Sequence, residues 1–142
     1  MMAECAFCRI AAGEADAFRL YEDARTVAFL DRDPATRGHS LVIPRDHRES
    51  LFRGGDPTAT EVYGTVERVV AAMHRTLEPD GVSVFYTSGD LAGNVTHAHV
   101  HVLPRWADDD ITVALDRHPL DAEEADRLAA RIRDDIRTGD GR

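Results

Sequence analysis

Two periods alternate along this chain, and each change of period marks an element boundary. Residues 18–21 and 26–31 alternate or run apolar, which predicts two short strands with Glu22-Asp23 as the hairpin turn between them. Residues 33–38 carry Asp33, Pro34 and Gly38 and read as a loop, and 40–44 read as a buried strand. Gly54-Gly55-Asp56-Pro57 is the sharpest break in the chain. Beyond it the apolar residues shift to steps of three and four. Val62, Val66, Val69, Val70, Met73 and Leu77 form the single stripe of a long helix, stopped by Pro79-Asp80-Gly81. A strand over 82–87, a glycine-containing loop over 89–94 and a strand over 97–103 follow. Toward the two ends, residues 4–12 read as a short helical turn closed by Gly13, and Asp121 caps a last helix. Ala125, Leu128, Ala129, Ile132 and Ile136 share one face of that helix, and the chain after Arg137 is expected to be loose. No repeat, low-complexity tract or linker interrupts the series.

The sum is an α+β fold: an antiparallel sheet of about five strands with the long helix packed on one side, followed by a C-terminal helix. The last strand is the most informative. Side chains of a strand point to alternate faces, so His97, His99 and His101 line one face while Ala98, Val100 and Val102 line the other. A helix would scatter the three rings around its axis. Alternate histidines backed by β-branched residues describe a strand that buries one face and does chemistry with the other. A neutral imidazole is a competent nucleophile toward phosphorus, and its protonated form is a good proton donor. The bland alternatives are a chance cluster or a polar strand face and, for His99, a metal ligand.

Composition narrows the classes. At 142 residues the chain suffices for one domain with a proper core. It holds no apolar run of about 18 residues and no signal-like N-terminal stretch, which predicts a soluble, cytoplasmic protein with no membrane partner. The 26 acidic residues outnumber the 17 basic ones, for a net charge of −9, which argues against nucleic acid as a partner. Every basic residue is arginine. Acidity without lysine fits either a salt-rich cytoplasm or a GC-rich genome. Cys5 and Cys8, three apart, would strain to form a disulfide and read as metal ligands or a redox pair.

Several further segments fall into one order. Cys5-Ala6-Phe7-Cys8-Arg9-Ile10 opens the chain, and Tyr21-Glu22-Asp23 leads to Val27-Ala28-Phe29-Leu30-Asp31. Gly38-His39-Ser40-Leu41-Val42-Ile43-Pro44-Arg45-Asp46-His47 follows, and the histidine strand ends in Val102-Leu103-Pro104-Arg105. From about Cys5 to Trp106 the chain resembles the histidine triad (HIT) superfamily, nearest its Hint-like, zinc-containing branch. The resemblance implies a HIT domain over 1–110 and a C-terminal helical extension over 111–142 packing on the same domain. It also implies a homodimer that extends the sheet across a two-fold axis. His99 becomes the nucleophile toward the α-phosphorus of a purine nucleotide derivative, forming a nucleotidyl-histidine that water then hydrolyses. His101 binds phosphate oxygens or assists proton transfer, and His39 orients the triad. Asp31 takes the ribose hydroxyls, beside Arg32, with Phe7, Phe29 and Leu30 as apolar walls. Backbone N–H groups of Gly93 and Asn94 stabilise the phosphoryl oxygens. Cys5, Cys8, His47 and His97 become the four ligands of a structural zinc. His74 and His118 receive no role.

Two departures from the family pattern bear on the substrate. Many Hint-like members carry an asparagine at the end of the strand before the glycine loop, where this chain reads Phe85-Tyr86-Thr87-Ser88-Gly89. The approach to the triad is shortened to Ala92-Gly93-Asn94-Val95-Thr96, which puts Asn94 in place of a glutamine and leaves the phosphate-contacting hydroxyl either absent or moved to Thr96. The expected activity is that of a nucleoside phosphoramidase-like hydrolase or nucleotidyl transferase. The alternatives are a dinucleoside polyphosphate hydrolase, a nucleotide-binding regulator with weak catalysis, and a metal-binding module.

Overall fold

The computed structural model describes residues 4–91, 93 and 95–139. They form two compact units, one built from the chain through Phe52 and from Pro57 to Ile111, the other from Arg53–Asp56 and the chain from Thr112 onward. The first unit contains a five-stranded antiparallel sheet of β1 (Arg19–Glu22), β2 (Thr26–Leu30), β3 (Ser40–Pro44), β4 (Gly81–Phe85) and β5 (Val100–Arg105), in the order β1-β2-β3-β5-β4. It also holds α1 (Ala6–Ala11) and the long α2 (Thr58–Leu77). The second unit contains α3 (Ala122–Thr138), N-capped by Asp121, whose side chain accepts from the Glu123 N–H. This is the α+β architecture that the hydrophobic pattern predicts.

The sheet separates two cores. On one face Ala28, Val42, Val100 and Val102 pack with α2 through Val62, Val66, Val69 and Met73. Valine and Gly64 make α2 a poor helix by intrinsic preference, at several tenths of a kcal/mol per valine and about 1 for the glycine. Burial of each valine contributes roughly 1.5–3 kcal/mol, so packing against the sheet decides the helix. Glu78 ends the helix in a left-handed conformation at φ 51°, and Pro79 directly after it cannot continue the helix. On the other face Val27, Phe29, Leu41 and Ile43 pack with Phe7 and Ile10 of α1. The histidines lie toward this second face, where Phe7 meets His97 and His99 edge-on.

Three boundaries differ from the sequence expectation. The β1–β2 turn falls after Glu22, because the Asp23 carboxylate accepts the N–H groups of both Arg25 and Thr26 and folds the chain around itself. The strand expected over 82–87 stops at Phe85. The histidine strand, expected over 97–103, enters its ladder only at Val100 and runs on to Arg105. The register Val42↔Val100 would bring Pro44 opposite Ala98. Proline has no N–H to give, so the ladder ends there. The Ala98 N–H instead donates to the Arg48 carbonyl at 2.8 Å, which keeps the approach to β5 extended. Just before β3, Gly38 sits at φ +90°, and a Cβ there would meet Leu77 and Pro104 at 2.8 and 3.1 Å. Only glycine lets the chain enter β3 at that point with His39 turned toward β5.

Candidate functional site

Two histidine clusters meet on the α1 side of the sheet. In the first, the ligand atoms of Cys5, Cys8, His47 and His97 all lie within 4.8 Å of one another. Cys5 Sγ and Cys8 Sγ each stand 3.5 Å from His97 Nδ1, and Cys8 Sγ stands 3.3 Å from His47 Nδ1. Tetrahedral zinc, with sulfur at about 2.3 Å and nitrogen at about 2.0 Å, needs sulfur–nitrogen edges of about 3.5 Å. The donor set therefore fits zinc in type and in spacing. His97 is fully buried, and its Nε2–H donates to the Pro44 carbonyl at 2.8 Å. That bond places the proton on Nε2 and leaves Nδ1 bare toward the two sulfurs, as a metal ligand requires. Burial, with a neighbouring Cys5 thiol, pushes Cys8 up to about 11. Without a metal it is a thiol, and binding a cation would expel its proton.

The second cluster contains His39, His99, His101 and Asp31. His99 Nδ1–H donates to the His97 carbonyl at 2.8 Å, since a carbonyl can only accept. Its Nε2 therefore carries a free lone pair. The Ala35 N–H donates to His39 Nδ1 at 3.0 Å, which places the His39 proton on Nε2. That Nε2 lies 3.0 Å from His101 Nδ1 and 3.5 Å from Asp31 Oδ2. Burial pulls the His39 pKa down against the raising effect of Asp31. Burial, then His99 and His39 beside it, brings His101 down to about 4, with Asp31 partly opposing. Both rings are neutral near pH 7.

Phe7, between the two cysteines, presents its ring edge-on to His99 at 5.3 Å and to Phe29 at 5.5 Å. The structure thus gathers His39, His99, His101, Asp31, Phe7 and Phe29 around one face. Leu30 stands apart from them. It alternates with Phe29 and lines a cavity of about 520 Å³ on the α2 side, with Leu20, Val69, Met73 and Leu77. Arg32 and Thr96 are exposed, and Gly93 has φ +97°. Asn94 lies outside the described residues.

One neighbour of the site escaped sequence reasoning. Phe85 lies opposite His101 in the β4–β5 register, and its ring stacks flat on the imidazole at 4.5 Å and 15° while remaining 49% exposed. The strand pattern placed Phe85 at the end of β4, but only the pairing register shows which histidine it covers. The backbone partners that fix the tautomers, Pro44, His97 and Ala35, carry no side-chain signature at all.

A model of the HIT domain family matches residues 12–108. The chain belongs to the HIT family. It is 36% identical over 107 residues to the Bacillus subtilis protein named hit, covering 75% of this chain and 74% of that protein. An adenosine 5'-monophosphoramidase of Schizosaccharomyces pombe is 30% identical over 135 residues, 94% of this chain and 98% of its own length. An adenylylsulfatase of Arabidopsis thaliana is 31% identical over 138 residues, 92% of this chain and 68% of its own length. A crystal structure from Streptococcus mutans superposes with a TM-score of 0.87 at 33% identity, over 96% of this chain and 87% of that one. A zinc-bound histidine triad family protein from Mycobacterium smegmatis superposes at 0.72 with 35% identity, over 90% of this chain and 91% of that one. Its bound zinc and the Cys5, Cys8, His47 and His97 cluster together support a zinc-binding branch of the family.

Proposed function

We propose that the protein hydrolyses, or transfers the nucleotidyl group of, purine nucleotide derivatives at the α-phosphate, most nearly as a nucleoside phosphoramidase. The observation that carries this reading is the His99 imidazole, whose Nδ1–H is tied to the His97 carbonyl at 2.8 Å so that Nε2 is held as a lone-pair donor. In the first step His99 Nε2 forms a bond to the α-phosphorus and the phosphorus–nitrogen bond of a phosphoramidate breaks. The amine leaves with a proton delivered from solvent through His101, whose proton affinity rises once anionic phosphate lies beside it. The His97 carbonyl stabilises the positive charge the phosphorylated imidazole acquires. In the second step water attacks the phosphorus, its proton is lost to the site, and His99 is released with the nucleoside monophosphate. The phosphoramidase and adenylylsulfatase activities of the two relatives at 30% and 31% identity support this class of substrate, since both names describe an adenylyl group on a non-carbon leaving atom.

Cys5, Cys8, His47 and His97 would hold a structural zinc, which supplies cross-linking and leaves no open coordination position. Asp31 would accept the ribose hydroxyls, with Phe7 and Phe29 against the base. The partner is a second copy of the chain. The edge position of β4, with Val84 and Phe85 exposed on it, supports that pairing.

The decisive experiment incubates the protein with an adenosine phosphoramidate, adenylyl sulfate and a diadenosine polyphosphate, beside His99→Ala. The unmodified protein is expected to turn over the phosphoramidate and to show one adenylyl group by intact mass after rapid acid quench. His99→Ala is expected to lose turnover by at least roughly a thousandfold and to keep nucleotide binding. Equal rates in the two proteins would end the assignment of His99. Preference for the diadenosine compound would move the substrate class.

A further inference from the structure

The Asp31, His39 and His101 cluster has the residue types of a metal site, with ligand atoms within 4.8 Å of one another. The hydrogen bonds argue otherwise. The Ala35 N–H occupies the lone pair of His39 Nδ1 at 3.0 Å, so His39 Nε2 holds a proton and faces inward as a donor, not as a ligand. That single proton is hydrogen-bonded to His101 Nδ1 at 3.0 Å, and a rival acceptor, Asp31 Oδ2, stands 3.5 Å from the same nitrogen. When it goes to His101, the neutral ring must carry its own proton on Nε2, the nitrogen left to face a phosphate or a leaving group. When Asp31 draws it away, His101 is free to adopt the other tautomer.

Asp31 is itself divided. Its Oδ1 accepts the Asp33 N–H at 2.9 Å and its backbone N–H donates to the His39 carbonyl at 2.9 Å, so the carboxylate is fixed in place. Oδ2 is the oxygen next to His39. A ribose bound at Asp31 would therefore compete for the same oxygen that competes for the His39 proton.

We propose that Asp31 couples recognition of the ribose to the hydrogen-bonding state of His101 through His39. Ribose hydroxyls engage the Asp31 carboxylate, His39 Nε2–H is left to His101 alone, and His101 is locked with its proton on Nε2. Asp31 and His39 are positioning residues that act through His101. The inference rests on the reading that Asp31 takes the ribose hydroxyls. It adds that the ribose is a switch as well as a handle, and it specifies ribonucleotide over 2',3'-dideoxynucleotide substrates through the rate of turnover.

The test has two arms. With histidine labelled by nitrogen-15, His39 in the nucleotide-free protein at pH 7 is expected to show a protonated Nε2 and a bare Nδ1. Saturating AMP is expected to move the His101 Nδ1 resonance toward a stronger accepted hydrogen bond, and saturating 2',3'-dideoxy-AMP to leave it in place. In the kinetic arm, the adenosine phosphoramidate is expected to exceed its dideoxy analogue in kcat by roughly tenfold, the size of coupling between groups in one hydrogen-bond network. His39→Gln is expected to abolish that kcat advantage and to keep the advantage in KM, whereas Asp31→Asn loses both. A His39 proton on Nδ1, an identical His101 response to the two nucleotides, or a kcat advantage that survives His39→Gln overturns the coupling. Absence of turnover in the unmodified protein would count against the proposed activity, and the resonance arm would still decide the coupling.

Discussion

At the scale of single residues, the site is built by backbone groups that dictate where each imidazole keeps its proton. The Pro44 carbonyl assigns His97, the His97 carbonyl assigns His99, and the Ala35 N–H assigns His39. Burial then makes neutrality the resting state, and for His101 this carries a stability consequence. The folded protein holds His101 at about 4, below the ordinary value near 6.5, with His99, His39 and Asp31 as its charged or titratable neighbours. The unfolded chain therefore binds a proton between those two values that the folded chain refuses. The contribution is fully present above about pH 6.5 and is lost as the pH falls toward 4. We expect unfolding free energies in urea to drop on going from pH 7 to pH 4.5 by on the order of 2 kcal/mol more in the unmodified protein than in His101→Gln, after allowance for solvent screening. Parallel pH dependence in the two proteins would mean that His101 is not held neutral by the fold. Histidine 99 and its spacing were readable from the chain itself; the three backbone partners were not, because any residue can supply a carbonyl or an N–H.

At the scale of elements, α1 is the piece whose position most needs explanation. Six residues are too few for a helix to persist by itself. Cys5 caps it, its side chain accepting from the Cys8 N–H, while Phe7 and Ile10 seat it on the sheet. A zinc bound by Cys5 and Cys8 on one side and by His47 and His97 on the other would fasten it to the loop after β3 and the approach to β5. Phe7 would then be held against His99, which links a structural metal to the nucleotide site without a place in the chemistry. Purified protein is expected to contain about one zinc per chain, and Cys5→Ser/Cys8→Ser to contain none. In hydrogen exchange, the α1 amides should lose protection in that variant while those of β3 and β5 keep theirs, and AMP binding should weaken. Unchanged protection of α1, or full protection in metal-free protein, would rule out the fastening role. The Cys-x-x-Cys spacing announced two of the ligands. The pairing with His47 and His97 came from family resemblance, since residues 39 and 89 positions away carry no local periodicity.

At the scale of the molecule, the sheet order leaves β4 at an edge with Val84 and Phe85 exposed. Exposed apolar edge strands pair with other chains unless something covers them. Light scattering is expected to give twice the mass of a single chain, and Val84→Glu, which sets like charges on both sides of the two-fold axis, to give the mass of one. A single-chain mass for the unmodified protein would remove the dimer, and with it any contribution of a second copy to the site. The α3 stripe was equally plain in the chain as Leu128, Ile132 and Ile136, and all three are exposed on the helix. No helix of the described residues is long and apolar enough to cross a membrane.

The chain by itself determined what local spacing can encode. Steps of two put His97, His99 and His101 on one side, steps of three and four gave α2 its stripe, and Gly38, Pro57 and Pro79 set where elements begin and end. These follow from the fixed geometry of strands and helices, so they are present in any stretch of the sequence taken alone. Tertiary structure decided the rest: that β5 lies between β3 and β4, that Pro44 truncates its ladder, that Phe85 covers His101 while Leu30 faces α2, and that Asp31 Oδ2 stands beside His39 Nε2. Each of these depends on register between segments far apart in sequence, which a one-residue shift would rewrite while leaving the local pattern intact.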